Sequence, residues 1–98
     1  MPIDHKLLEW TPGVVDLADN STTVSAVPAI LGYAYVNTTI SAHACVIKND
    51  TTAIFTIPAG SLAGDKYDFE ETIFNVSLVV DPDDSATGNI TLMYKRLR

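Results

Sequence analysis

Covalent cross-links, charge and membrane-spanning segments are all scarce or missing in this sequence. A single cysteine, Cys45, excludes an internal disulfide. It lies in the apolar stretch Ala44-Cys45-Val46-Ile47 and reads as a buried thiol. No apolar run approaches the roughly 18–20 residues that a bilayer-crossing helix needs. Charged residues make up 18% of the 98, against roughly 25% in average soluble domains, so a disordered tail is also excluded. Positive charge is the scarcer sign: six Lys and Arg against twelve Asp and Glu leave a net charge of −6. Such a balance disfavours phosphate-backbone binding, so no direct nucleic-acid contact is expected, and no membrane contact. After Met1, the residues Asp4, His5, Lys6 and Glu9 break any leader-like apolar region. The expectation is synthesis in the cytoplasm, as a soluble chain or carried elsewhere as part of an assembly.

What fills the gap is Thr, Ser and apolar residues, which suit half-exposed β surfaces. No segment keeps a 3.6-residue period, so little helix is expected. Short runs rich in Val, Ile, Thr and Tyr recur instead, at intervals of about 8–12 residues with turn signals between them. The runs are 13–18, 22–27, 29–37, 43–48, 51–57, 72–80 and 88–95. In 29–37, Leu31, Tyr33 and Tyr35 are expected on one face. In 51–57, Ala53, Phe55 and Ile57 share a face. The run 72–80 reads as the strongest strand, with Phe74, Val76, Leu78 and Val80 on one face and Ile73 and Val79 on the other. The acidic stretch 61–71 reads as the longest loop, and Asp81-Pro82-Asp83-Asp84 as a turn. The pattern predicts an all-β fold: a single antiparallel β-sandwich or barrel of seven to eight short strands.

The first twelve residues differ. Pro2 and Pro12 bracket a small apolar cluster, Leu7, Leu8 and Trp10. The chain therefore divides into an N-terminal extended arm, 1–12, and a sandwich domain, 13–98. The arm either plugs Trp10 into its own sandwich or reaches a neighbouring subunit. At the other end Lys95-Arg96-Leu97-Arg98 is basic, so Arg96 and Arg98 are candidates for contact with an acidic patch on a neighbour.

Chemistry of its own is not expected. His5 and His43 share no ligand spacing with a cysteine or carboxylate, so no metal site is expected. No Gly-x-Ser-x-Gly elbow occurs, no catalytic acid–base pair stands out, and no cofactor is implied. All five asparagines lie in Asn-x-Ser/Thr triplets, read here as turn and strand chemistry.

Two stretches carry a resemblance. One is Gly32-Tyr-Ala-Tyr-Val-Asn-Thr-Thr-Ile-Ser-Ala-His43 followed by Phe55-Thr-Ile-Pro58. The other is Ser77-Leu-Val-Val-Asp-Pro-Asp-Asp-Ser-Ala-Thr-Gly-Asn-Ile-Thr-Leu-Met-Tyr94. Across residues 31–94 the chain resembles small virion-associated structural proteins of tailed bacteriophages, of the head decoration (cement) type. That resemblance implies a jelly-roll-like sandwich, a homotrimer and a place on the capsid surface of the virion, bound to the major capsid protein. It carries over no catalytic residue. The expected partner-binding residues, read from this sequence itself, are Leu7, Leu8, Trp10, Ile73, Val79, Arg96 and Arg98. A second expectation is a carbohydrate- or receptor-binding module of a tail spike or fibre, with Trp10, Tyr33, Tyr35 and Tyr67 stacking on sugar rings.

Overall fold

A computed structural model describes residues 10–97. These residues hold eight strands: β1 (Thr11–Asp16), β2 (Thr22–Ser25), β3 (Ala29–Thr38), β4 (Cys45–Asn49), β5 (Thr52–Ile57), β6 (Lys66–Phe74), β7 (Leu78–Pro82) and β8 (Asn89–Arg96). Two four-stranded sheets form, in the orders β1-β8-β3-β6 and β2-β7-β4-β5. Every pairing is antiparallel. The first strand pairs with the last, the second with the seventh, the third with the sixth and the fourth with the fifth. A long antiparallel ribbon wrapped around itself gives this nesting, which is the jelly-roll arrangement of two packed sheets.

The core lies between the sheets. Leu31, Val36, Ile90 and Leu92 of the first sheet face Ile47, Ile57, Leu78 and Val80 of the second, all fully buried. Cys45 joins them. Leu17 and Ile40, just outside strands, close the interior. A core of this kind supplies the main stabilising term through apolar area removed from water.

Several expectations are corrected in detail. β1 starts at Thr11, so the boundary drawn between residues 12 and 13 falls inside a strand. Pro12 is accommodated because β1 is an outermost strand with a ladder partner on one side only. The run 72–80 is not one strand. It is cut at Asn75-Val76-Ser77, where the chain crosses from the first sheet to the second. Asn49 holds that corner: its Oδ1 accepts the Val76 and Ser77 N–H groups at 3.1 and 3.3 Å, and its Nδ2 donates to Asn75 Oδ1 at 2.7 Å. Half of the expected acidic loop is strand, since β6 begins at Lys66. Asp81 and Pro82 belong to β7, and Asp81 pairs with Lys48 at 2.6 Å.

Leu31 also leaves the face it was expected to share with Tyr33 and Tyr35. The register of β3 against β8 slips between Leu31 and Tyr33. Gly32 is the extra residue, and one extra residue reverses the in–out alternation beyond it. Leu31 therefore points inward, and further along the strand Ala34 and Val36 do. A similar slip in β5 sets Phe55 opposite Ile47 and Ala53 opposite Lys48, which breaks the alternation at Ile54.

Candidate partner-binding surface

The sandwich has two unlike flanks. On one, β1 and β2 pack closely: a Cβ added to Gly13 would stand 2.9 Å from Val24 Cγ1. On the other, the outermost strands β5 and β6 stand apart and leave a groove of about 470 Å³. Its floor is aromatic. Phe55 reaches from β5 and meets Phe69 of β6 edge-on, with ring centroids 5.3 Å apart, and Tyr67 at 5.6 Å. Tyr67 is held by a 2.7 Å hydrogen bond between its hydroxyl and Ser61 Oγ. Although Phe55 packs on both of these rings, it stays 36% exposed at the rim where each sheet ends. Ile54 and Thr72 add apolar wall, and Asp68 and Glu70 line the groove as well.

β6 is irregular beside this groove. Leu31 pairs with Thr72 but Tyr33 pairs with Asp68, so three residues of β6 stand opposite the single Gly32, two more than a regular ladder holds. Glu70 and Glu71 adopt φ of 49° and 60°, and Asp68 Oδ1 accepts the Glu70 N–H at 2.8 Å. The bulge turns its carboxylates toward a second recess of about 430 Å³, lined by Trp10, Gly32, Tyr33, Asp68, Glu70, Glu71 and Lys95. Asp68 and Glu70 border both hollows.

The second recess lies on the outer face of the first sheet. A Cβ on Gly32 would sit 3.0 Å from two atoms of the Trp10 ring, so the glycine is what lets the indole lie close to the sheet. Lys95 Nζ stands 4.3 Å from the same ring, and Lys66 Nζ stands 4.4 Å from the Tyr33 ring. Both are cation–π distances. Next to this cluster, the register aligns Lys95, Ile30 and Ile73 across three neighbouring strands. Ile30 and Lys95 are buried, while Ile73 is 61% exposed.

No family model, curated protein or solved structure matches the chain. The site is therefore read from its own geometry.

Of the expected partner-binding residues, Leu7, Leu8 and Arg98 lie outside the described residues. Trp10 is half-buried against Gly32 and Lys95 on an outer face, not plugged between the sheets. Ile73 is exposed on the first sheet and Arg96 is exposed at the end of β8. Val79 belongs to the second sheet, where it pairs with Thr23 and Lys48. Ile73 and Val79 are thus not brought together, because the chain changes sheet between them. Trp10 and Ile73 share the outer face of the first sheet, with Lys95 under the indole and Ile30 between Lys95 and Ile73. The four rings weighed as sugar platforms are partly occupied: Trp10 and Tyr33 each carry an ammonium, and Tyr67 packs on Phe55. Sequence reasoning missed Phe55 and Phe69 as partners in one groove. They are 14 residues apart in two strands of different sheets, and no local spacing joins them.

Among the described residues, no group of three or more His, Cys, Asp or Glu side chains is placed to hold a metal ion. Cys45 is fully buried, and burial, reinforced by the negative charge of Asp83, pushes its thiol from 9.0 up to about 12. Two outcomes follow. Native protein at pH 8 is expected to resist thiol labelling reagents on the time scale in which urea-unfolded protein labels fully. In the unfolded chain the thiol ionises near its ordinary value, so between about pH 9 and 12 the folded state holds the proton that the unfolded state has lost. Stability therefore falls as pH rises through that window, and substituting serine for Cys45 is expected to flatten this part of a urea-midpoint profile.

Proposed function

We propose that this chain is a structural protein of a phage virion, a capsid decoration or cement protein that sits on the capsid surface as a homo-oligomer. It binds neighbouring major capsid subunits and stabilises the shell by contact alone. The observation that carries this reading is the outer face of the first sheet. There Ile73 is exposed beside Ile30, Trp10 lies on the same face over Gly32 and Lys95, and the carboxylates of Asp68, Glu70 and Glu71 line the recess next to the indole. An apolar centre with a charged rim is the usual anatomy of a protein–protein interface. The jelly roll supports the reading at the level of fold only, since that fold serves viral shells and lectins alike.

The test mixes the purified protein with capsid shells that lack it, from the phage whose genome carries the gene, and sediments the shells. Wild type is expected to co-sediment. Ile73→Asp is expected to lose shell binding while its unfolding free energy stays within about 0.5 kcal/mol of wild type, because the side chain is mostly in solvent. Trp10→Ala is expected to weaken binding in the same assay. A monomeric mass together with no shell binding would overturn the proposal.

A further inference from the structure

The aromatic groove between β5 and β6 has chemistry that one other segment of this chain complements. The groove presents Phe55, Tyr67 and Phe69 as an apolar floor, with Asp68 and Glu70 lining it against one cation, Lys66, whose ammonium stands over the Tyr33 ring. The molecule is acidic overall, and three of its six Lys and Arg, namely Lys95, Arg96 and Arg98, fall in the last four residues. Leu97 stands among them and is 41% exposed, although its backbone N–H is tied to the Pro28 carbonyl at 2.9 Å. Arg96 is exposed beside it. The tail therefore leaves a fixed point of the sandwich with a cation and an apolar side chain side by side.

We infer that the groove between β5 and β6 receives the C-terminal Arg96-Leu97 segment of a second copy. Leu97 covers the exposed edge of Phe55, and the Arg96 guanidinium meets Glu70. Arginine suits this role because its planar head hydrogen-bonds a carboxylate with two parallel donors and also lies well on aromatic faces. A groove of about 470 Å³ falls within the range that takes a small ligand, which suits two side chains of a docked segment. The occupant is a copy rather than an unrelated acidic protein, since two carboxylates against one ammonium leave the groove negative and the chain's own end is its densest run of cations. The tail and the groove are different surfaces of one molecule, with β3 standing between β8 and β6 in the sheet. The contact is therefore head-to-tail, the kind that builds a closed ring when the rotation between successive copies closes. This inference extends the homo-oligomer part of the proposed function and does not depend on the capsid part.

The experiment measures mass by light scattering and sedimentation in free solution, without shells, so its result is separate from the shell-binding assay. Wild type is expected as a closed oligomer of the 10.6 kDa chain, shifting toward monomer as salt rises. Arg96→Glu and Glu70→Arg are each expected to be monomeric, with circular dichroism like wild type. In a mixture of the two variants each tail finds an opposite charge only in the other variant's groove, the native Arg96 against the native Glu70 and the substituted position 96 against the substituted position 70, so oligomers in which the two variants alternate are expected where neither associates alone. The double variant Arg96→Glu/Glu70→Arg restores opposite charges and is expected to recover the closed oligomer. Because Arg96 is exposed, its variant tests the idea even if Glu70→Arg fails to fold. A monomeric wild type, or an Arg96→Glu variant that keeps the full oligomer, overturns the inference. So does a mixture of the two variants that stays monomeric.

Discussion

Phe74→Ala is expected to lower the unfolding free energy by about 3–5 kcal/mol. Phe74 is fully buried and is the largest side chain in that condition. It ends β6 and pairs with Ala29 of β3, which is too small to collapse into the space a phenyl ring would leave. The next core residues along the chain, Leu78 and Val80, belong to the opposite sheet, so the ring is a contact between layers rather than within one. Domains of this size have roughly 5–15 kcal/mol in total, and small ones sit near the bottom of that range. The variant is therefore expected to be largely unfolded well below the melting temperature of wild type. Urea unfolding followed by tryptophan fluorescence and circular dichroism would show the change as a lower midpoint. A midpoint within 0.3 M or so of wild type, at urea slopes of about 1–3 kcal/mol per M, would mean the site repacks.

Gly88→Ala is expected to cost about 2–4 kcal/mol, from two sources that add. Gly88 has φ of 109°, a region in which side chains are strained. A Cβ there would also stand 3.0 Å from the Thr39 carbonyl oxygen, 3.1 Å from that of Thr38 and 3.2 Å from Ile40 Cα. All three are backbone atoms, so no rotamer change relieves the contact. The same loop is pinned on both sides, by the Leu17 N–H donating to the Gly88 carbonyl at 2.9 Å and the Ser41 N–H donating to the Thr87 carbonyl at 3.2 Å. Gly60 supplies the control. It also has positive φ, 75°, but its added Cβ would meet nothing within 4 Å. Gly60→Ala is expected to cost only the dihedral term, about 1 kcal/mol. Equal losses in the two variants would show that crowding at Gly88 is relieved by movement of the loop.

Much of the strand set was legible because each run carries its own punctuation. Asp19-Asn20-Ser21 and Pro58-Ala59-Gly60 fall between strands, and Asn49-Asp50 ends β4 and opens the turn to β5, as turn chemistry requires. The break at 75–77 was not legible. Phe74, Leu78 and Val80 are all even-numbered and all point into the same interior, although Phe74 does so from one sheet and the others from the second. A two-residue period survives the corner, so periodicity sees one strand where there are two. The strand character of 66–71 was hidden for the opposite reason. An outermost strand with a bulge shows most of its side chains to water, and its carboxylates read as loop.

The candidate surface divides in the same way. Trp10, Ile73 and Arg96 drew attention in the sequence because each is an unusual residue for its place: a lone indole, an apolar residue on a second face, a cation in an acidic chain. That Trp10 lies over Gly32, and that Phe55 meets Phe69, are facts of tertiary structure. Composition, alternation and turn residues by themselves determined an all-β domain with a mostly apolar interior and its charges confined to a few segments. Only the tertiary structure decided which faces became inside, which flank closed and which stayed open. The reason is that a single inserted residue, as at Gly32 or Ile54, reverses alternation without changing composition, and that contacts between distant strands depend on sheet order, which no local pattern encodes.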